Sequence, residues 1–279
     1  MDFWSNTTPG EGPNSPCLLV TCNAMKSPLP RVLSTITLSL LATLKVHGAS
    51  ADELIQKGDV YYSRLQAPEA LKYYLPAEKL DPQNIRLLVH ISREYRHLMS
   101  DAAQSDEKVR LGNIAIDYAK RAAALGPNDA DAQLAVAISY GKLMPLAGTK
   151  ERIEACRVIK DAADKVIRLD PQNDLAWHVL GRWHRVLAEV GSFKRALAQA
   201  AYGKLPASTF DEAATCFQKA IELNPNRLMH FIELGRVYSE MGKNAEAKRL
   251  ITTGLAMHDT EKDDPETKRE GRELLAKLR

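Results

Sequence analysis

The chain has 279 residues, 45% apolar and 26% charged, enough of both for a soluble fold with a buried core. Lys and Arg number 38 against 35 Asp and Glu, and a net charge of +3 is far too small for a dedicated nucleic-acid binder. Cys17, Cys22, Cys156 and Cys216 show no CxxC spacing, which argues against a zinc site or a disulfide framework.

Residues 1–24 carry Pro9, Gly10, Gly12, Pro13 and Pro16 with no helical or strand period and read as a disordered leader. From Met25 the order is a basic start (MKSPLPR), the 13-residue apolar stretch 32–44, then small residues at Ala49 and Ala51, which is the order of a secretory signal peptide. That stretch falls short of the roughly 20 residues a spanning helix needs, so no stable membrane span is expected. The pattern predicts cleavage after Ala51, and an exported or periplasmic protein if translation starts at Met25. Residues 1–51 are accordingly leader and signal peptide, and residues 52–279 one folded domain.

From residue 51 onward the chain repeats. Pro82 in LDPQN, Pro127 in LGPND, Pro171 in LDPQN and Pro225 in LNPNR are spaced 45, 44 and 54 residues apart, each closing one helical segment and opening the next. In residues 51–84, Leu54, Gly58, Tyr61, Ala70, Tyr74, Ala77 and Pro82 occupy the seven diagnostic offsets of a tetratricopeptide unit of about 34 residues. The second unit keeps Leu88, Tyr95, Ala115, Ala119, Ala122 and Pro127, and the third keeps Leu134, Ala163 and Pro171. Both are longer than the repeat, by two to three turns at about 3.6 residues per turn, so their helices are predicted to lengthen. The fourth unit has Trp177, Leu180 and Gly181 in its first half and Ala213, Phe217, Ala220 and Pro225 in its second. Between the halves lies an insertion, 188–208, in which FKRALAQAAYGKL has the spacing of an extra helix. Thr209 and Glu212 form a capping box for the helix that follows. The fifth unit has Phe231, Leu234, Gly235, Tyr238 and Ala247, with Asp259 where the proline would fall. DDPETKREGRELLAKLR, with Leu274, Leu275 and Leu278 as its apolar seam, reads as a capping helix. The fold class is all-α, a tetratricopeptide-type α-solenoid of about five antiparallel helical hairpins with a C-terminal capping helix. Gly58, Gly181 and Gly235 are predicted where paired helices come closest.

The segments AWHVLGRWHRVL, LPASTFDEA, FQKAIELNP and VYSEMGKNAEAKRL resemble the regulator of microtubule dynamics proteins, in order and in spacing, over about residues 160–279. The resemblance implies a divergent tetratricopeptide array, roles at tubulin or organelle contacts, and a cytoplasmic or mitochondrial, microtubule-associated location as the alternative to export. It also implies lipid binding between helices as an alternative to protein binding.

Nothing in the sequence assembles a catalytic constellation, so no enzyme activity, cofactor or metal is expected. His90 with Glu94, and Arg93 with His97, are i,i+4 pairs of the kind common on solvated faces, and read as surface or boundary residues. His178 and His184 are six residues apart and do not share a face. Cys156 and Cys216 read as buried thiols in preference to a bridge. Solenoids bind on their concave face, lined by the first helix of each hairpin. The repeat phase places Arg86, Arg93, Arg96, Lys142, Arg182, Arg185 and Arg236 there, against only Asp52, Asp59 and Glu240. This basic stripe is predicted to bind a protein or peptide partner carrying acidic segments, of which tubulin tails are the example the resemblance supplies.

Overall fold

The structure, a computed structural model, describes residues 49–190 and 207–278. Among these residues there are no strands and eleven α-helices. They are α1 Ala51–Tyr62, α2 Ala67–Leu80, α3 Ile85–Asp101, α4 Ser105–Leu125, α5 Ala130–Leu143, α6 Thr149–Leu169, α7 Asp174–Glu189, α8 Phe210–Leu223, α9 Leu228–Glu240, α10 Asn244–Ala256 and α11 Asp264–Lys277. The extra helix expected between residues 188 and 208 lies mainly outside the described residues.

The proline loops do two jobs at once. Proline cannot continue the helix before it, and the loop's last residue supplies the polar cap of the next one. Asn84 accepts from the Leu87 amide at 3.0 Å, Asp129 from Ala132 at 2.8 Å and Asn173 from Ala176 at 3.0 Å. In the fourth loop, LNPNR, the cap position is Arg227, and it makes no side-chain cap. α8 begins with the expected Thr209–Glu212 capping box, and α1 with a second one, Ser50–Glu53. The first helix therefore starts ahead of Asp52, and cleavage after Ala51 would remove its cap.

α1 pairs with α2, α3 with α4, α5 with α6, α7 with α8 and α9 with α10, giving five antiparallel hairpins, and α11 covers α9 and α10. α4 and α6 each run 21 residues against 14 for α2 and α8, which is where the extra length of the second and third repeats goes. A Cβ on Gly58 would come within 2.4 Å of the Tyr74 ring, one on Gly181 within 3.0 Å of Phe217, and one on Gly235 within 2.6 Å of Ile251. Each of these glycines lies on a first helix against the fully buried large residue of its partner helix. Successive first helices also touch one another, α1 to α3, α3 to α5, α5 to α7 and α7 to α9, while second helices pack on the first helices to either side. First helices thus form the closer-spaced inner layer, and the solenoid curves around them.

Cys156 and Cys216 are both buried thiols with no bridge, and burial pushes the Cys216 thiol up to about 12. The surface reading of α3 fails at two positions. Glu94 is wholly buried and His97 nearly so, because α3 is packed between two hairpins and a C-terminal segment also crosses its inner face.

Candidate binding groove

The inner layer carries all seven cations that the repeat phase assigns to it. Arg86, Arg93 and Arg96 are on α3, Lys142 on α5, Arg182 and Arg185 on α7, and Arg236 on α9. The structure gives them different surroundings. At the N-terminal end, Arg86 reaches Asp59 at 2.7 Å. The same carboxylate accepts a hydrogen bond from the Tyr74 hydroxyl at 2.6 Å. At the C-terminal end, Arg185 contacts Glu233 at 3.2 Å and also pairs with Glu189, while Arg236 lies 3.6 Å from Glu233 and 2.9 Å from Glu270. Burial pushes the Glu233 carboxyl up, but Arg182, Arg185 and Arg236 together hold it below the usual carboxylate range. The sequence reading undercounted inner-face acids because Glu233 and Asp174 fall outside the offsets that mark the concave face.

In the middle, Arg93, Arg96 and Lys142 line a cavity of about 340 Å³ together with Tyr62, His90 and Arg227. Arg96 lies at its floor. Its guanidinium donates to the Ser92 and Ser139 hydroxyls at 3.1 and 3.0 Å, and burial, with Arg93 beside it, pushes its pKa down to about 10. Arg93 donates to the Tyr62 hydroxyl at 2.5 Å. Arg227, released from capping, pairs with Asp174 at 2.7 Å.

The connection from α10 to α11 runs into this cavity. The Glu261 carboxylate pairs with Arg93 at 3.2 Å and also with Arg227. Asp263 pairs with Lys142 and accepts from the Ser100 hydroxyl at 2.8 Å, and Lys262 reaches Asp101 at 2.8 Å. Although burial pushes the Asp263 carboxyl up, Lys142 and Ser100 hold it low. The Thr260 and Glu261 amides donate to the buried Asp264 carboxylate at 2.7 and 2.8 Å, which fixes the segment as a turn.

Beside it, a smaller cavity of about 190 Å³ is walled by Ile138, Met144, Ile159, Leu175, Val179 and Val186, with Lys142, Arg182 and Asp263 among its polar lining. Arg182 is exposed and makes no ion pair with any described residue. Nearby, His178 and His230 face one another, Nδ1 to Nδ1, at 2.9 Å, and His230 Nε2 lies 2.9 Å from Asp174. Both rings are buried. Repeat spacing could not pair residues 52 positions apart on different hairpins. Arg227 was visible as the one loop-end residue that is neither Asn nor Asp.

Five stacked hairpins, packed at glycine and alanine contacts and curved around an ion-paired inner face, define a tetratricopeptide-type α-solenoid. The chain belongs to the family described as regulator of microtubule dynamics protein 1-3, whose model matches residues 49–279. It is 26% identical to regulator of microtubule dynamics protein 1 of Mus musculus, over 82% of this chain and 75% of that one. Identity is 23% with protein 2 of Homo sapiens, covering 90% and 60% of the two chains, and 27% with protein 3 of Xenopus laevis, covering 80% and 49%. The chain thus matches about three fifths of the human protein 2 and about half of the Xenopus protein 3. A thermophilic TPR protein of Thermus thermophilus shares the fold at a TM-score of 0.57 and 17% identity, over 82% of this chain and 98% of that one.

Proposed function

We propose that this protein is a non-catalytic scaffold whose concave groove captures an acidic segment of a partner protein. The observation that carries the reading is Arg182, exposed beside the central cavities and in no ion pair with any described residue. An anion docking there meets an exposed guanidinium, whereas Lys142 and Arg185 beside it already have carboxylates within ion-pair distance. The tails of tubulin have this acidic chemistry, and the names of the relatives concern microtubule dynamics.

The natural double charge reversal, of Arg182 and Arg185 together, is a poor test, since Arg185→Glu would set a second carboxylate against buried Glu233. Arg182→Gln removes the exposed charge without setting a carboxylate near Glu233. We expect it to weaken binding of a fluorescent glutamate-rich peptide several-fold. The outer-face change Lys248→Glu on α10 should leave binding unchanged. Wild-type affinity should fall as salt rises, because exposed charge interactions are screened beyond about 8–10 Å at physiological ionic strength. Equal binding by the two variants overturns the reading. Lipid found on the purified protein by native mass spectrometry would favour instead an apolar occupant of the smaller cavity.

A further inference from the structure

We propose that residues 260–264 are an internal stand-in for the partner, and that the groove recognises a segment that presents carboxylates two residues apart, as this turn does. The proposal rests on the acidic-segment reading above and adds the recognition pattern and the competitor. Glu261 and Asp263 are separated by one residue, and the turn that Asp264 holds sends both carboxylates to cations of the inner face. Here one enters the fork between Arg93 and Arg227, and the other meets Lys142 and Ser100. Lys262, between them, pairs with Asp101 at the end of α3. Acidic, spacer, acidic is therefore the pattern that the inner face holds in this structure.

The contacts also suit an occupant that leaves. The carboxylates of Glu261 and Asp263 are 29% and 50% exposed and the Arg93 side chain 27%. Ion pairs this open are weakened by solvent, so a partner offering more carboxylates can replace them. The backbone of the segment is tied to its own helix, through Asp264, and no backbone bond joins it to α3, α5 or α7 among the described residues. Arg182, which makes no ion pair with any described residue, lines the same small cavity as Asp263. An incoming acidic peptide meets Arg182 first and then competes for Lys142.

A strap with only a structural role and a competing stand-in differ in what its neutralisation does to binding. The test uses the full chain, the double variant Glu261→Gln with Asp263→Asn, and two labelled peptides. One has the chain's own sequence TEKDDPE and the other is glutamate-rich. The stand-in predicts that both peptides bind the variant at least tenfold tighter than wild type, and that adding Arg93→Gln to the variant removes the gain. If wild type binds the glutamate-rich peptide and the variant binds it no better, the stand-in is wrong and the groove reading survives. If neither protein binds either peptide, both ideas fall. A second measurement needs no variant: the side-chain carboxylate carbon resonances of Glu261 and Asp263 in wild type should move at saturating glutamate-rich peptide, because their groove partners are replaced. Unmoved resonances, with peptide bound, overturn the proposal.

Discussion

His178 and His230 are a pair that no sequence spacing announces, and their surroundings fix how they titrate. Burial pushes the His178 ring well below the ordinary value of 6.5, with His230, Arg182, Arg227 and Arg185 adding like charge. Burial also lowers His230, against the opposing pull of Asp174. His90 and His184 are lowered too, again mainly by burial. In the unfolded chain these rings take up protons near pH 6.5, whereas the folded chain resists them to lower pH. The unfolded state therefore binds more protons below that point, and stability falls as pH drops through about 6.5. Urea denaturation at pH 7.5 and 5.5 should show a lower midpoint at the acidic pH, and His230→Gln should flatten the difference. An identical pH dependence in that variant would remove the ring pair from the account. At this scale the sequence spoke clearly only where a residue had one job. The repeat glycines did, while Arg227, whose role depends on a capping bond it does not make, was readable only against its three loop counterparts.

The hairpin is the unit that the sequence described best. Seven offsets in the first repeat and the glycine and phenylalanine of the fourth lie where the packing needs them, because helices can approach closely only where one side chain is missing. Gly181 illustrates the demand. Its missing Cβ faces three atoms of the Phe217 ring at 3.0 Å, and Phe217 is fully buried with no room to yield. Gly181→Leu should overpack the hairpin of α7 and α8 and cost about 1–3 kcal/mol, read as a lower urea midpoint at unchanged slope. Gly141, whose Cβ would meet no atom within 4 Å, is the matched control on α5. Alanine there should be neutral or slightly stabilising, since glycine within a helix costs about 0.5–1 kcal/mol relative to alanine. Wild-type stability in Gly181→Leu would mean that the repeat phase is wrong. What the hairpin pattern could not give is the inner-face charge balance. Offsets name the positions that point inward in an ideal unit, and they do not show that α3, packed between two hairpins, buries Glu94 and His97.

Over the whole molecule, the basic stripe read from the repeat phase proves to be an alternating ladder. Asp59 answers Arg86, Glu261 joins Arg93 to Arg227, Asp263 answers Lys142, and Glu233 lies between Arg185 and Arg236. The first and last of these acids come from the helices themselves, but the middle two come from a segment beyond the last repeat. A repeat pattern carries no information on where the chain goes once the array ends. The worn fifth repeat, with Asp259 in place of proline, was the one trace of that departure.

An array in which each hairpin touches only its neighbours melts piecemeal, its ends fraying independently of its middle. The return of residues 260–264 breaks that linearity. Arg93 and Glu261, 168 positions apart in sequence, join the second hairpin to the end of the fifth, as Lys142 and Asp263 do for the third. The chain closes on itself like a clasped bracelet, so the terminal hairpin is held by the middle of the array as well as by its own neighbour. Such contacts make unfolding more cooperative and folding slower, because a long loop must close before they form. Wild type should lose its helical circular dichroism in one urea transition. With Glu261→Gln and Asp263→Asn the clasp opens, and the same curve should broaden or split as the C-terminal hairpin melts ahead of the rest. A variant curve as sharp as wild type would show that neighbour-to-neighbour stacking alone sets the cooperativity.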